Sequence, residues 1–138
     1  MNTLAQVLGI HAKHVAAILK TGHTLFEHNK LEDAKNIFEG MSVLDGANPY
    51  IHGMLGTIYQ KQEKYELALE HYDATLRVNP RDIHALTNRG EIALKLGRLQ
   101  EAASDFKAAM DLDSARKHPA ANRARLLALL VLDAVQKR

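Results

Sequence analysis

Eight histidines and a pair of adjacent carboxylates are the groups in this 138-residue chain best suited to chemistry. His11 and His14 lie three apart, on one face of any helix that holds them, whereas His23 and His28, five apart, do not share a face. A metal centre needs a third and fourth ligand with outer-shell support. The surrounding sequence supplies neither, so these histidines read as solvated surface groups, and no metal or cofactor is expected. Glu32 and Asp33 open a helical stretch, where carboxylates favour the positive end of the helix dipole. The chain has no cysteine, which removes disulfides, thiolate zinc sites, iron–sulfur clusters and a cysteine nucleophile. The patterns G-x-G-x-x-G, G-x-x-x-x-G-K-[ST] and H-E-x-x-H are also missing. The chain is therefore not expected to be an enzyme.

Bulk properties narrow the classes further. The length fits one domain, and 46% hydrophobic with 25% charged residues is the balance of a soluble globular protein. No run approaches the roughly 20 apolar residues of a membrane span. The opening MNTLAQVLGIHAKH has no positive charge before Lys13 and no long apolar stretch, unlike a secretory signal. A cytoplasmic location without membrane contact is expected. The net charge of +2 gathers late in the chain, where residues 81–138 hold 11 Lys/Arg against 7 Asp/Glu. That is far below the footprint of a nucleic-acid binder, so no nucleic-acid partner is expected.

What positions these residues is a repeat. Segments starting at Val15, Pro49 and Ile83 align without a gap, and like residues recur every 34 positions. Gly22, Gly56 and Gly90 form one column; Leu31, Tyr65 and Leu99 another; Ala34, Ala68 and Ala102 a third; Phe38, Tyr72 and Phe106 a fourth; Leu44, Val78 and Leu112 a fifth. Within each unit, apolar residues recur at three- and four-residue steps in two stretches with a short break, which predicts two antiparallel helices. Asn79-Pro80 ends one helix and Pro49 starts another. Glycine at the eighth place and alanine at the twentieth let two backbones cross closely, with the Phe/Tyr column filling the space beyond. His52 falls in a column that is Ile18 and Leu86 elsewhere, so it reads as a satisfied, part-buried histidine.

Leu55, Gly56, Tyr59, Ala68, Tyr72 and Pro80 in the second unit, with Gly90, Ala102, Phe106 and Ala109 in the third, resemble the tetratricopeptide repeat family. Arg89 and Ala93 depart from that pattern, standing where Leu and Tyr are usual. The resemblance implies an all-α fold, a right-handed superhelical stack of three helix hairpins forming a single domain over 1–138. Its parts are an N-terminal helix (1–14), repeats at 15–48, 49–82 and 83–116, and a C-terminal capping helix (117–138). Leu4, Val7 and Leu8 suggest a short amphipathic helix over residues 2–10. It is read as a cover for the first repeat, with a homodimer contact as the alternative. In the cap, Leu126, Leu127, Leu130 and Val131 are expected to face inward, with Arg123, Arg125, Lys137 and Arg138 toward water.

Helix geometry locates a binding face. Places 4, 7, 8 and 11 of each first helix pack on the second, leaving another stripe about 140° away. In the family such stripes line a concave groove that takes extended peptides. Here the stripe holds Leu19, His23 and Phe26, beside Ala16 and Glu27; then Tyr50, Gly53, Thr57, Gln60 and Lys61; then His84, Thr87, Glu91, Leu94 and Lys95. At about 10 Å per packed helix and about 3.3 Å per extended residue, three repeats would hold roughly nine residues of a partner. Leu19, Phe26, Tyr50 and Leu94 would receive its apolar side chains, and Gly53 leaves room for a pocket.

Adaptors for chaperone tails clamp a terminal carboxylate with Lys, Asn and Arg; Leu19, His23, Met54, His84 and Asn88 stand at the corresponding places here, without a cation. The segments NKLEDAKNIFEGMSVLDG and GMLGTIYQKQEKYELALEHY more closely resemble the class II chaperones of bacterial type III secretion, which hold translocator proteins before export. The expected function is a protein-binding module for an extended peptide with apolar anchors, as a secretion chaperone. The alternative is a general adaptor or scaffold subunit of a multi-protein assembly.

Overall fold

The computed structural model describes residues 3–138, and among these every regular element is helical. The order is α1 (Leu4–Val7), α2 (Ala12–Glu27), α3 (Leu31–Leu44), α4 (Pro49–Lys61), α5 (Tyr65–Val78), α6 (Ile83–Lys95), α7 (Leu99–Asp111) and α8 (Pro119–Gln136). Contacts divide the chain into two compact units, one ending at Ala74 and one running Thr75–Arg138.

The helix pairs close through a shared turn. Asn29, Glu63 and Gly97, each 34 residues from the next, have φ of 60°, 60° and 75°. Their N–H groups donate to Phe26, Gln60 and Leu94, and the following N–H groups reach back to Leu25, Tyr59 and Ala93. This left-handed cap satisfies carbonyls that a helix end would otherwise leave bare. The other ends are fixed by side chains. Asn48 Oδ1 accepts from Tyr50 N at 2.9 Å, Asp82 Oδ1 from Ala85 N at 2.9 Å, and His118 Nδ1 from Ala120 N at 3.2 Å. Pro49 and Pro119 stand where a missing N–H costs nothing.

The repeat columns form the core. Phe38, Tyr72 and Phe106 are at most 1% exposed, and Ala34, Ala68 and Ala102 are fully buried. Each column glycine lies directly on the aromatic ring of its own unit. A Cβ on Gly22 would meet Phe38 Cζ at 2.9 Å, one on Gly56 would meet Tyr72 Cε1 at 2.7 Å, and one on Gly90 would meet Phe106 Cε1 at 2.6 Å. The ring is thus what the missing side chain admits.

Two expectations need correction. The N-terminal helix is one turn, Leu4–Val7, because Gly9 at φ 71° ends it and α2 already begins at Ala12, ahead of Val15. Residues 1 and 2 of the expected helix lie outside the described residues. Thr3 closes a capping box with Gln6, and Ala5 is the residue α1 buries, while Leu4, Val7 and Leu8 stay exposed.

The cap α8 is also turned from its expected face. Leu126 is 68% and Leu130 53% exposed, whereas Val131 is buried as expected, on one side with Ala120, Ala121 and Ala124. Arg125 Nη1 pairs with Asp113 at 3.2 Å and Arg123 with Glu91, so two arginines expected in water are tied to carboxylates instead. Small alanines let α8 lie close on α6 and α7, and carboxylates there claim the guanidiniums.

Candidate functional site

In the first unit, α2 and α4 bring several of the stripe residues together. Tyr50 Oη lies 3.4 Å from His23 Nδ1, and His23 Nε2 lies 2.9 Å from Glu27 Oε1. Lys61 Nζ stands 5.5 Å from the centre of the Phe26 ring, a cation–π distance. Phe38 meets Tyr50 edge to face at 6.1 Å, which steers the tyrosine from behind. Burial, then the nearby Glu27 carboxylate, pushes the Tyr50 hydroxyl above its ordinary pKa. It therefore stays a neutral donor. Leu19, His23 and Phe26 are half-buried, and Tyr50 remains 44% exposed, so a ring and a cation are presented to solvent.

Thr57 and Gln60 do a different job. The Tyr72 hydroxyl, rising from α5 past Gly56, donates to Gln60 Oε1 at 2.7 Å and lies 3.3 Å from Thr57 Oγ1. Thr57 in turn donates to the Gly53 carbonyl at 2.9 Å. Both side chains thus satisfy a core tyrosine from within the unit.

In the second unit, α8 covers part of the stripe. Thr87 is fully buried and donates to the Ala120 carbonyl at 3.2 Å, so it is not free to line a groove. Glu91 pairs with Arg123 and, at 3.7 Å, with Lys95; Arg123 also reaches Asn88. His84 stands edge-on to His118 at 4.9 Å between ring centres. Of this set, His84 and Lys95 are exposed and Leu94 is half-buried.

Two arrangements, and the partners of a third, escaped the sequence. Arg89, in the column of Thr21 and Leu55, forms a bidentate pair with buried Asp105, Nε–Oδ2 at 2.9 Å and Nη2–Oδ1 at 2.7 Å. Asp113 accepts from the Lys117 and His118 N–H groups and from Arg125. His52, read correctly as satisfied, is held by His71 and the Gly46 carbonyl. A charge at the place where the repeat pattern usually has Leu, with an opposite charge 16 residues on, was the available signal for the first. Among the described residues no group of three or more His, Cys, Asp or Glu could hold a metal, and no helix is long and apolar enough to cross a membrane.

Residues 54–119 match the tetratricopeptide repeat family. The fold matches PcrH of Pseudomonas aeruginosa, solved with the chaperone binding region of PopD, at TM-score 0.84 and 25% identity, covering 94% of this chain and 98% of that one. It matches the type III secretion translocator chaperone SycD of Yersinia enterocolitica at TM-score 0.77 and 22% identity, covering 100% and 99%. In sequence, the chain is 33% identical over 115 residues to SPINDLY of Arabidopsis thaliana, a peptide N-acetylglucosaminyltransferase by name. That alignment covers 83% of this chain, which spans only 12% of the plant protein's length. The span of the second and third repeats read in the sequence therefore matches the tetratricopeptide pattern, and the all-helical fold is shared with type III secretion translocator chaperones.

Proposed function

We propose that the chain binds an extended segment of another protein along the α2 and α4 stripe and acts as a chaperone for a secreted translocator. The observation that carries this is the convergence of Phe26, Tyr50, His23 and Lys61 on one surface, with aromatic faces and hydrogen-bonding groups side by side. Such a surface anchors apolar side chains of a peptide while its polar groups fix the register. PcrH, alike over nearly its whole length, was solved with a chaperone binding region, which supports the same use here. The reading includes a non-catalytic role and a cytoplasmic site of action. The transferase activity of SPINDLY is not carried over, since the chain spans so little of it.

The function is tested by co-expression with a candidate type III secretion translocator from the same genome. A soluble complex that Phe26→Ala and Tyr50→Ala abolish supports the reading. A complex indifferent to both changes, or one formed with several assembly subunits and no unstable client, favours the general adaptor.

A further inference from the structure

The inner side of the second repeat holds two histidine rings that the binding site does not use. His52, on α4, places Nε2 2.7 Å from the Gly46 carbonyl and Nδ1 3.0 Å from Nδ1 of His71 on α5. The rings stack with centres 5.3 Å apart, and Tyr59 lies on the other ring of the pair, 5.5 Å from His71. One proton arrangement satisfies all of this. A carbonyl only accepts, so His52 Nε2 carries a hydrogen; neutral His52 then has a bare Nδ1, and His71 Nδ1 must donate to it. The pair thereby ties three pieces together: the loop between α3 and α4, helix α4 and helix α5.

We propose that His52 and His71 form a proton-sensitive latch that fastens this loop and hairpin when both rings are neutral and loosens them in mild acid. A proton on His52 Nδ1 would set N–H against N–H. A proton on His71 would charge a half-buried ring stacked between another imidazole and a phenol. Charged or titratable groups facing the pair within this unit include Glu39 from α3, Tyr59 from α4 and Glu70 from α5. The two carboxylates favour the proton, but burial, then His52, outweighs them and holds His71 below the ordinary histidine pKa. Glu39 is already engaged by the Tyr59 hydroxyl. A lowered folded value means that the latch contributes fully above the unfolded pKa of about 6.5 and is lost as pH falls below it. Because α4 also carries Tyr50 and Gly53, the latch acts on one wall of the proposed site. Its test uses the free chain and does not depend on that reading.

The experiment compares thermal unfolding of the full chain and of His71→Phe, which keeps a ring for Tyr59, at about pH 7.5 and about pH 5.5. The wild-type midpoint should fall by about 3 °C more than that of the variant. Should the variant fail to fold, ring-nitrogen NMR of the wild type decides. It should show His71 as the Nδ1–H tautomer, His52 as the Nε2–H tautomer, and His71 titrating below its value in the urea-unfolded chain. Equal pH sensitivity of the two proteins, the opposite tautomers, or His71 titrating at or above its unfolded value would overturn the latch.

Discussion

The Tyr50 hydroxyl on α4 reaches His23 Nδ1 on α2 across 3.4 Å, so two helices that begin separate repeats meet through side chains placed 27 residues apart. His23 passes the bond on to Glu27 and itself lies against the Phe26 ring, while Tyr50 stays 44% exposed. Tyr50→Phe keeps the ring and loses this bond, whereas Tyr50→Ala loses both. We expect Tyr50→Ala and Phe26→Ala each to weaken partner binding about tenfold or more, an anchor's worth of contact energy, with Tyr50→Phe far milder. Titration calorimetry against the partner segment, with melting curves as a fold control, measures this.

The left-handed turns offer a test of the repeat itself. Glu63 holds φ 60° where its counterpart Gly97 pays no Cβ penalty. Glu63→Gly should stabilise the chain by about 1 kcal/mol in urea unfolding, although it removes a side chain and adds none.

Glycines inside helices should split by environment. Gly40 in α3 has open space around it, so Gly40→Ala should stabilise by about 0.8 kcal/mol. Gly90 faces Phe106 at a distance no Cβ tolerates, so Gly90→Ala should cost about 1–3 kcal/mol. Opposite signs for one chemical change, read from urea midpoints, would establish that the glycine column is a packing device.

Arg89 and Asp105 should behave as a unit. Arg89→Leu restores the usual residue type yet leaves the Asp105 carboxylate, 9% exposed at its side chain, without its partner. A loss of about 3 kcal/mol is expected for the single change. The double variant Arg89→Leu with Asp105→Ala should recover at least half of it in a double-mutant cycle.

Asp113 governs the approach to α8. Burial pushes its carboxyl up, but the His118 and Lys117 N–H groups and Arg125 together outweigh that and hold it below the usual range. With a lowered folded pKa, its contribution is present above the unfolded value of about 3.9 and disappears as pH falls below it. Asp113→Asn should melt lower at neutral pH and show a flatter dependence between about pH 5 and pH 3, where that carboxyl would titrate.

Much of this organisation is visible from spacing alone, because glycine, alanine and aromatic columns at 34 residues report contacts made within one hairpin. What spacing misses is contact between elements without a common period. A helical wheel puts Leu126 and Leu130 inside α8; the structure puts Ala120, Ala121 and Ala124 there, since Arg125 and Arg123 are drawn to Asp113 and Glu91. Thr87 fails as a groove residue for the same reason, for it lies under a helix whose seat no repeat column encodes. His52 shows the reverse case. Its odd column value signalled a satisfied histidine, but the partner His71, 19 residues on, leaves no periodic trace.

The most direct test of the account follows backbone amide shifts of the labelled chain as overlapping nine-residue peptides from a candidate translocator of the same genome are added. The account predicts that a binding peptide perturbs His23, Phe26, Tyr50 and Lys61 first and most strongly, and that Tyr50→Ala removes those changes. A peptide that saturates while leaving these four unmoved, with its shifts confined to α3 or α7, would contradict it.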